Sequence, residues 1–174
     1  MRKGMTAAIA IVALFVACVH AAAQRASPHD STAATVDGAE LTISYGRPYM
    51  RGRVIMGGLV PYGRVWCPGA DEATTLSTTK PLTIGDVKVA AGRYTLWMLP
   101  SADQWTMIVN KQTGQWHTQY NSQFDLGRVA LAKRTLPAPV DQLTFAIESA
   151  KGGGGNIVMS WETTEVSAPF TVVQ

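Results

Sequence analysis

Apolar and polar residues alternate with a period of two in three separate segments of the chain. In residues 41–45, Leu, Ile and Tyr alternate with Thr and Ser, and the same alternation runs through residues 143–148 and 157–162. Successive side chains of a strand point to opposite faces, so each segment predicts a strand with one buried face. No segment keeps a helical period over three turns, and the pattern therefore predicts an all-β protein.

A tight hairpin is predicted where two short β-type runs flank Gly85 and Asp86. A two-residue loop that contains glycine is typical of a connection between adjacent antiparallel strands. The expected register places three pairs opposite one another: Leu82 with Val89, Thr83 with Lys88, and Ile84 with Val87.

Further strands are predicted from β-branched or apolar runs at residues 73–79, 94–99, 105–109 and 129–131. The run 94–99 is apolar on both faces, which is typical of a central strand covered on both sides. Residues 115–125 show no period and predict a long loop. Pro137 and Pro139 are expected to mark a connection, and residues 170–173 are expected to add a last edge strand.

Many short strands separated by turns with Gly and Pro are typical of an antiparallel sandwich or barrel. We therefore predict one all-β domain over residues 38–174, an antiparallel β-sandwich or barrel-like structure with long irregular loops. The chain has no internal repeat. Without the N-terminal segment it has about 150 residues, which is enough for one domain with a substantial core.

The first 23 residues have the three parts of a secretory signal peptide. Arg2 and Lys3 precede an apolar run over residues 6–19, and small residues lead to a cleavage site after Ala23. The run is shorter than the roughly 20 residues of a spanning helix, so we expect no transmembrane span in the mature chain. Residues 24–37 are small and polar, and they predict a flexible leader.

Cys18 supports an alternative, in which the sequence F-V-A-C is a lipoprotein cleavage box and the mature protein carries a lipid anchor. Under either interpretation the protein leaves the cytoplasm, and we expect it to be secreted or periplasmic. If the signal peptide is cleaved after Ala23, Cys18 is lost. Cys67 is then a lone cysteine without an internal disulfide, and we expect it to be a small buried side chain.

The charge of the chain limits the classes of partner. The full chain has 15 basic and 12 acidic residues, a net charge of +3. Arg2 and Lys3 leave with the signal peptide, so the mature chain has 13 basic against 12 acidic residues, a net charge of +1. A nearly neutral chain gives no reason to expect a nucleic-acid partner.

The irregular stretch from Ile43 to Thr75 is the expected position of a functional site. It places arginines beside aromatic residues, is interrupted every few residues by Gly or Pro, and ends in an acidic pair. So many arginines and rings on irregular backbone are typical of a segment that packs, binds or reacts. The candidate ligand-binding residues are Tyr45, Arg47, Arg53, Trp66, Asp71 and Glu72.

These residues admit two interpretations. The arginines clamp an anionic group of a ligand, such as a carboxylate, a phosphate or a sulfated sugar, or they form structural ion pairs with the acidic pair. Glu72 is the candidate catalytic residue, because a carboxyl group beside apolar rings suits general acid–base chemistry. No metal-ligand spacing or cofactor motif occurs around His117 or Cys67, so no metal and no cofactor is expected.

Four motifs together resemble one bacterial family, catalogued as domain of unknown function 2911. They are Y-G-R-P-Y-M-R-G-R-V-I-M-G-G-L-V-P-Y-G-R-V-W from Tyr45, G-A-D-E-A-T-T from Gly69, A-G-R-Y-T-L from Ala91 and W-T-M-I-V-N-K from Trp105. The likeness covers residues 38–150. It implies a secreted or periplasmic protein without an assigned reaction.

Two positions depart from the pattern of that family. Asp71 stands where the family more often has Asn, whereas Glu72 matches, so the resemblance favours Glu72 over Asp71 as the family-type residue. Cys67 stands where Arg is expected, which argues against a thiol chemistry shared by the family.

Three functional hypotheses follow. The first is a secreted, non-enzymatic β-sandwich that binds a small molecule, a glycan or an envelope partner through the candidate residues. The second is a hydrolase that acts on a glycan or an ester, with Glu72 as general acid or base. The third is a purely structural envelope module, in which an Arg–Glu network only fastens the irregular stretch.

Overall fold

The computed structural model describes residues 27–174. These residues form nine strands and a short 3-10 helix, Ser122–Phe124. The strands are β1 His29–Val36, β2 Ala39–Gly46, β3 Thr75–Thr78, β4 Leu82–Ile84, β5 Val87–Val89, β6 Gly92–Leu99, β7 Trp105–Asn110, β8 Asp125–Ser149 and β9 Gly155–Val172. Within this described part of the chain, no helix is long and apolar enough to cross a membrane.

All nine strands belong to one antiparallel sheet, in the order β1-β2-β3-β6-β7-β8-β9-β4-β5, which is not closed into a barrel. The long strand β8 joins its two halves. The first part of β8, Asp125–Leu131, pairs with β7, and the part from Ala132 to Ser149 pairs with β9. The predicted all-β antiparallel domain with long irregular loops is confirmed.

One hydrophobic core lies between the two halves of the sheet. It includes Ile43 of β2, Leu96 of β6 and Phe145 of β8, each from a predicted strand. On β6, Leu96 and Met98 face this core, whereas Trp97 faces a second, smaller cluster that also contains Cys67. The prediction that this strand is covered on both faces is therefore confirmed.

The predicted hairpin is present as β4 and β5 in the expected register. Leu82 pairs with Val89, Thr83 with Lys88 and Ile84 with Val87. Gly85 has a φ of +59°, a left-handed conformation that favours glycine in a tight turn. A Cβ atom at Gly85 would also lie 2.7 Å from Cγ1 of Val129, so the turn packs closely against β8.

The structure corrects the flexible leader predicted over residues 24–37, because His29–Val36 forms β1. This strand pairs along its whole length with β2, from His29 opposite Gly46 to Val36 opposite Ala39. It is an edge strand with mostly exposed side chains, so its sequence is as polar as that of a leader. The signal peptide predicted over residues 1–23 and Cys18 lie outside the described residues.

Two other expectations are wrong in the second half of the chain. Pro137 and Pro139 lie inside β8 rather than in a connection, where the register with β9 shifts between Thr135 and Val140. Proline lacks the N–H of a ladder hydrogen bond, so it is tolerated at such an irregularity. Residues 170–173 do not form a separate edge strand, since Phe170–Val172 ends β9 and pairs with β4.

The irregular stretch between β2 and β3 is tied to the sheet by backbone and side-chain hydrogen bonds. Trp66 and Met98 exchange two backbone hydrogen bonds, of 2.7 and 2.8 Å. The carboxylate of Glu162 on β9 accepts the backbone N–H groups of Ile55 and Met56, each at 3.2 Å. These bonds hold the irregular stretch in one conformation without regular secondary structure.

Candidate functional site

A cleft of about 600 Å³ opens between the irregular stretch and the loop that follows β7. This volume is in the range of small-molecule sites. Residues 48–70 supply one side of the cleft and residues 117–120 the other. We call it the aromatic cleft, because its lining includes the rings of Tyr49, Trp66, Trp97, Tyr120 and Trp161.

The rings of the aromatic cleft are held in place by one another and by hydrogen bonds. Trp66 stacks on Trp161, with ring centroids 6.1 Å apart and planes 15° apart. The indole N–H of Trp161 donates to the backbone oxygen of Asp141 at 3.2 Å, and that of Trp97 donates to Oγ1 of Thr95 at 3.0 Å. The walls are therefore preorganised, since none of these indoles needs to reorient to offer its exposed surface.

Tyr120 adds a fixed neutral phenol to the aromatic cleft. Its ring lies against Trp97, at a centroid distance of 5.1 Å, and its hydroxyl donates to Oδ2 of Asp125 at 2.6 Å. Burial and the hydrogen bond to Asp125 raise the pKa of Tyr120 to about 12. Arg128 donates to Asp125 Oδ2 at 3.2 Å and so balances the charge of that carboxylate.

Two arginines of the irregular stretch, Arg51 and Arg53, give the aromatic cleft a positive charge. Arg53 donates from Nε to the backbone oxygen of Met50 at 2.9 Å and from Nη2 to that of Tyr49 at 2.7 Å. A guanidinium group has five N–H donors, so these bonds orient Arg53 and leave donors for a ligand. Among the lining residues of the described chain there is no Asp or Glu.

His117 lines the aromatic cleft from the loop after β7, with its ring held in one orientation. Nδ1 lies 2.7 Å from the backbone oxygen of Asp71, which also accepts the backbone N–H of His117 at 2.9 Å. A carbonyl oxygen can only accept, so Nδ1 carries the proton and the neutral ring has its lone pair on Nε2. Within residues 27–174, Nε2 has no hydrogen-bond partner.

Cys67 lies at the floor of the aromatic cleft but is almost completely buried, with 1% of its surface exposed. Burial raises the pKa of the Cys67 thiol to about 11. The backbone N–H of Thr74 donates to the sulfur at 3.3 Å. The floor is therefore uncharged at neutral pH, and Cys67 is buried as the sequence predicts.

Tyr45 and Arg47, two of the predicted site residues, lie outside the lining of the aromatic cleft. The hydroxyl of Tyr45 accepts the backbone N–H of Phe145 at 2.9 Å in the core. Arg47 donates from Nε to the backbone oxygen of Leu143 at 3.1 Å and forms a 2.8 Å ion pair with Asp30. Both side chains fasten the end of β2 to β8.

Asp71 and Glu72 meet His29 of β1 at the surface. Nε2 of His29 lies 3.2 Å from Oδ2 of Asp71 and 3.3 Å from Oε2 of Glu72. Neither acidic residue lines the aromatic cleft, but the backbone carbonyl of Asp71 positions His117. Of the six predicted site residues, the structure therefore places Arg53 and Trp66 in the cleft.

Sequence reasoning missed the contribution of Trp97 and Trp161. Both fall on strand patterns that predict core residues, and both are almost fully buried, at 2% and 1% exposure. The sequence feature that could have pointed to this part of the cleft was the aromatic loop after β7, which contains His117 and Tyr120. No group of three or more His, Cys, Asp or Glu side chains is placed to hold a metal ion in the part of the chain that the structure describes.

The fold and the cleft define an all-β protein with one folded antiparallel sheet and an aromatic, positively charged cavity at the irregular stretch. The family model described as "Protein of unknown function (DUF2911)" matches residues 27–170. The match covers most of the chain, so the chain belongs to this family, as its motifs predict. No curated protein and no solved structure matches the chain.

Proposed function

We propose that the protein is a non-enzymatic binding protein whose aromatic cleft takes a small anionic ligand with a flat face. The observation that carries this proposal is the composition of the cleft. The half-buried ring of Trp66 and the exposed ring of Tyr49 line the same cleft as Arg51 and Arg53.

Trp66 and Tyr49 supply the apolar part of the binding energy. An aromatic ring gains about 0.5–1.5 kcal/mol from a favourable ring contact beyond the burial of its area. Trp66 is half-buried, and its stacking partner Trp161 fixes the plane that it offers to a ligand. A ligand with one flat apolar face fits this surface better than a branched aliphatic one.

The arginines determine the charge of the ligand. Hydrogen bonds to charged groups contribute about 1.5–3 kcal/mol, more than neutral ones. Arg53 is held by the backbone oxygens of Met50 and Tyr49, so its remaining donors lose little side-chain entropy when an anion binds. The proposed ligand therefore carries a carboxylate, phosphate or sulfate group.

The ligand site also needs a rigid backbone, and Glu162 supports it. Its two carboxylate oxygens accept the N–H groups of Ile55 and Met56, just beyond Arg53 in the irregular stretch. A preorganised loop binds more tightly because less conformational entropy is lost on binding.

We also propose that the protein acts outside the cytoplasm. The support is the signal-peptide pattern of residues 1–23, and lipid anchoring at Cys18 is the alternative. Mass spectrometry of the N-terminus of the protein, purified from the source cell, distinguishes signal-peptide cleavage from lipid anchoring. A chain that begins at Gln24 supports cleavage by signal peptidase, a diacylated Cys18 supports the anchor, and a retained Met1 contradicts both.

The hydrolase alternative receives less support from the geometry. Its candidate acid, Glu72, has a carboxylate oxygen 3.3 Å from Nε2 of His29 and lies outside the cleft lining. The structural-module alternative fits Arg47, which joins Asp30 to Leu143, but it leaves the aromatic cleft without a role.

Binding of two matched small molecules tests the proposal. Benzoate and benzamide share a flat ring and differ in charge, so benzoate is expected to bind the full chain more tightly. Isothermal titration and tryptophan fluorescence measure both affinities. Arg53→Gln is expected to weaken benzoate binding about tenfold, on the scale of one charge-assisted hydrogen bond, and to change benzamide binding little.

Two control variants make this test specific. Arg64→Gln removes an exposed arginine of the same irregular stretch that lies outside the cleft lining. Phe124→Ala removes an aromatic ring that is 41% exposed and also outside the lining, for comparison with Trp66→Ala and Trp66→Phe. The proposal is overturned if benzoate does not bind at millimolar concentration, or if Arg53→Gln and Arg64→Gln have equal effects.

A further inference from the structure

We propose that the ligand of the aromatic cleft is an acidic sugar of the uronic-acid type, and that Nε2 of His117 accepts a hydrogen bond from one of its hydroxyl groups. This inference rests on the proposed function, because it names the chemical class of ligand for the same cleft. It starts from an imidazole whose tautomer is determined by its environment and whose second nitrogen has no partner among residues 27–174.

The orientation of His117 leaves a hydrogen-bond acceptor for the ligand. Nδ1 donates to the backbone oxygen of Asp71 at 2.7 Å, so in the neutral ring Nε2 is an acceptor. His117 is a lining residue, and no other residue in the range 27–174 bonds to Nε2. A ligand that fills the cleft without a donor here would leave this nitrogen desolvated and unpaired, which lowers affinity.

The acceptor at Nε2 of His117 and the guanidinium group of Arg53 require two different groups on the ligand. A carboxylate that pairs with Arg53 has only acceptor atoms, so it cannot satisfy Nε2 of His117. An ammonium group would be a donor, but the positive charge of the arginines repels it. A hydroxyl group donates without carrying charge, so a hydroxylated acid satisfies both Arg53 and His117.

The half-buried indole of Trp66 narrows this class of acids to those with a flat ring. The C–H face of a pyranose is flat and apolar, and it packs on an indole ring such as Trp66 while its hydroxyls point outward along the rim. The cleft volume of about 600 Å³ is large enough for one or two such rings. A uronic acid combines the flat face, the hydroxyl donors and the carboxylate in one small molecule.

Three ligands separate the contributions of the ring, the hydroxyl groups and the charge to binding. Glucuronate has the ring, the hydroxyls and the carboxylate, cyclohexanecarboxylate lacks the hydroxyls, and glucose lacks the charge. Glucuronate is expected to bind the full chain most tightly in isothermal titration. Its advantage over cyclohexanecarboxylate is expected to be about 2- to 12-fold, the scale of one neutral hydrogen bond.

Replacement of His117 tests the acceptor directly. His117→Asn places a side-chain N–H near the position of Nδ1, so it keeps a donor for the oxygen of Asp71 and removes the acceptor at Nε2. This variant is expected to lose the preference for glucuronate over cyclohexanecarboxylate. His117→Gln reaches the position of Nε2 with an amide oxygen, and it is expected to keep part of the preference.

The outcomes distinguish this inference from the proposed function. The inference is overturned if glucuronate has no advantage over cyclohexanecarboxylate, or if His117→Asn keeps the full preference, while Arg53→Gln still weakens both acids. If neither acid binds, or if Arg53→Gln leaves both affinities unchanged, the proposed function fails as well. Binding of glucuronate with a preference that His117→Asn removes and His117→Gln partly keeps supports the inference.

Discussion

The backbone oxygen of Asp71 accepts two hydrogen bonds from His117, one from Nδ1 at 2.7 Å and one from the backbone N–H at 2.9 Å. This pair joins the irregular stretch to the loop after β7, which are the two sides of the aromatic cleft. It therefore has both a structural and an orienting role, and the two roles can be separated by mutation.

Removal of the His117 side chain is expected to lower stability modestly. His117→Ala loses one hydrogen bond to Asp71, at a cost of about 1 kcal/mol, which corresponds to a Tm about 2–4 °C lower in a domain of this size. His117→Asn is expected to lose less, because its amide N–H can replace Nδ1. Thermal unfolding followed by circular dichroism measures both, and equal losses would contradict the orienting role of Nδ1.

Arg47 is expected to contribute to stability and not to ligand binding. Arg47→Met removes the hydrogen bonds to the backbone oxygen of Leu143 and to Oγ1 of Thr144, and it breaks the ion pair with Asp30. The expected loss is about 1–3 kcal/mol, mainly because partly buried acceptors are left unpaired. Denaturant unfolding measures it, with the exposed Arg93→Met as control.

The affinity of Arg47→Met for benzoate is expected to equal that of the wild-type chain, since Arg47 lies outside the cleft lining. A loss of affinity without a loss of stability would instead return Arg47 to the binding site that the sequence predicts.

Glu162 is expected to support both the fold and the cleft. Glu162→Ala removes the acceptors of the Ile55 and Met56 N–H groups, and the expected destabilisation is about 1–3 kcal/mol. Glu162 has a φ of +55°, and alanine keeps a Cβ atom at this strained conformation. The difference in stability between the wild-type chain and Glu162→Ala therefore measures the loss of the carboxylate and not a change in backbone strain. Glu148→Ala, at an exposed site on β8, is the control.

A looser irregular stretch also loses preorganisation, so Glu162→Ala is expected to weaken benzoate binding under conditions where the variant remains folded. Unchanged stability and affinity would show that the hydrogen bonds of Glu162 do not hold the loop.

Cys67 is expected to resist thiol reagents in the folded protein. The residue is 1% exposed, and the pKa of its thiol is raised to about 11, so both access and thiolate formation are limited. A chain that carries Cys18→Ala reports on Cys67 alone. Its reaction with a disulfide reagent at pH 8 is expected to be slow in buffer and fast in denaturant, and equal rates would contradict burial.

The same thiol makes a pH-dependent contribution to stability. The pKa of Cys67 is raised by burial from 9.0 to about 11, so between these values the unfolded chain releases the proton first. This contribution is present below pH 9 and is lost as the pH rises through about 11, by an amount on the order of 2 kcal/mol. Between pH 8 and pH 10.5, the free energy of unfolding is expected to fall more for the wild-type chain than for Cys67→Ala. Denaturant unfolding at the two pH values measures both changes.

Patterns between near neighbours in the sequence predicted most of the strands. The hairpin at Gly85 has the expected register, and the alternation in residues 41–45 identified the buried face of β2. These features depend on the pleat of a strand and on the conformation of a turn, which are local properties. The polar edge strand β1 was missed because an exposed edge strand buries too few side chains to show alternation.

The sequence does not separate the candidate residues that line the cleft from those that lie outside it, because the contacts that sort them join distant parts of the chain. Arg47 and Arg53 both lie beside aromatic residues of the irregular stretch, so the sequence does not distinguish them. In the fold, Arg47 donates to the backbone oxygen of Leu143 on β8. Arg53 instead donates to the nearby backbone oxygens of Tyr49 and Met50 and lines the cleft. Trp161 is far from Trp66 in the sequence and stacks on it in the fold.

The sequence by itself determined the all-β class, the family and the irregular stretch as the region of interest, since these follow from local periodicity and from contiguous motifs. Only the tertiary structure decided which side chains form the cleft. The two halves of the sheet must fold over one core before Trp161, His117 and the irregular stretch can meet. The physical reason is that side-chain packing and long-range hydrogen bonds decide these contacts, and neither has a signature in the spacing of residues along the chain.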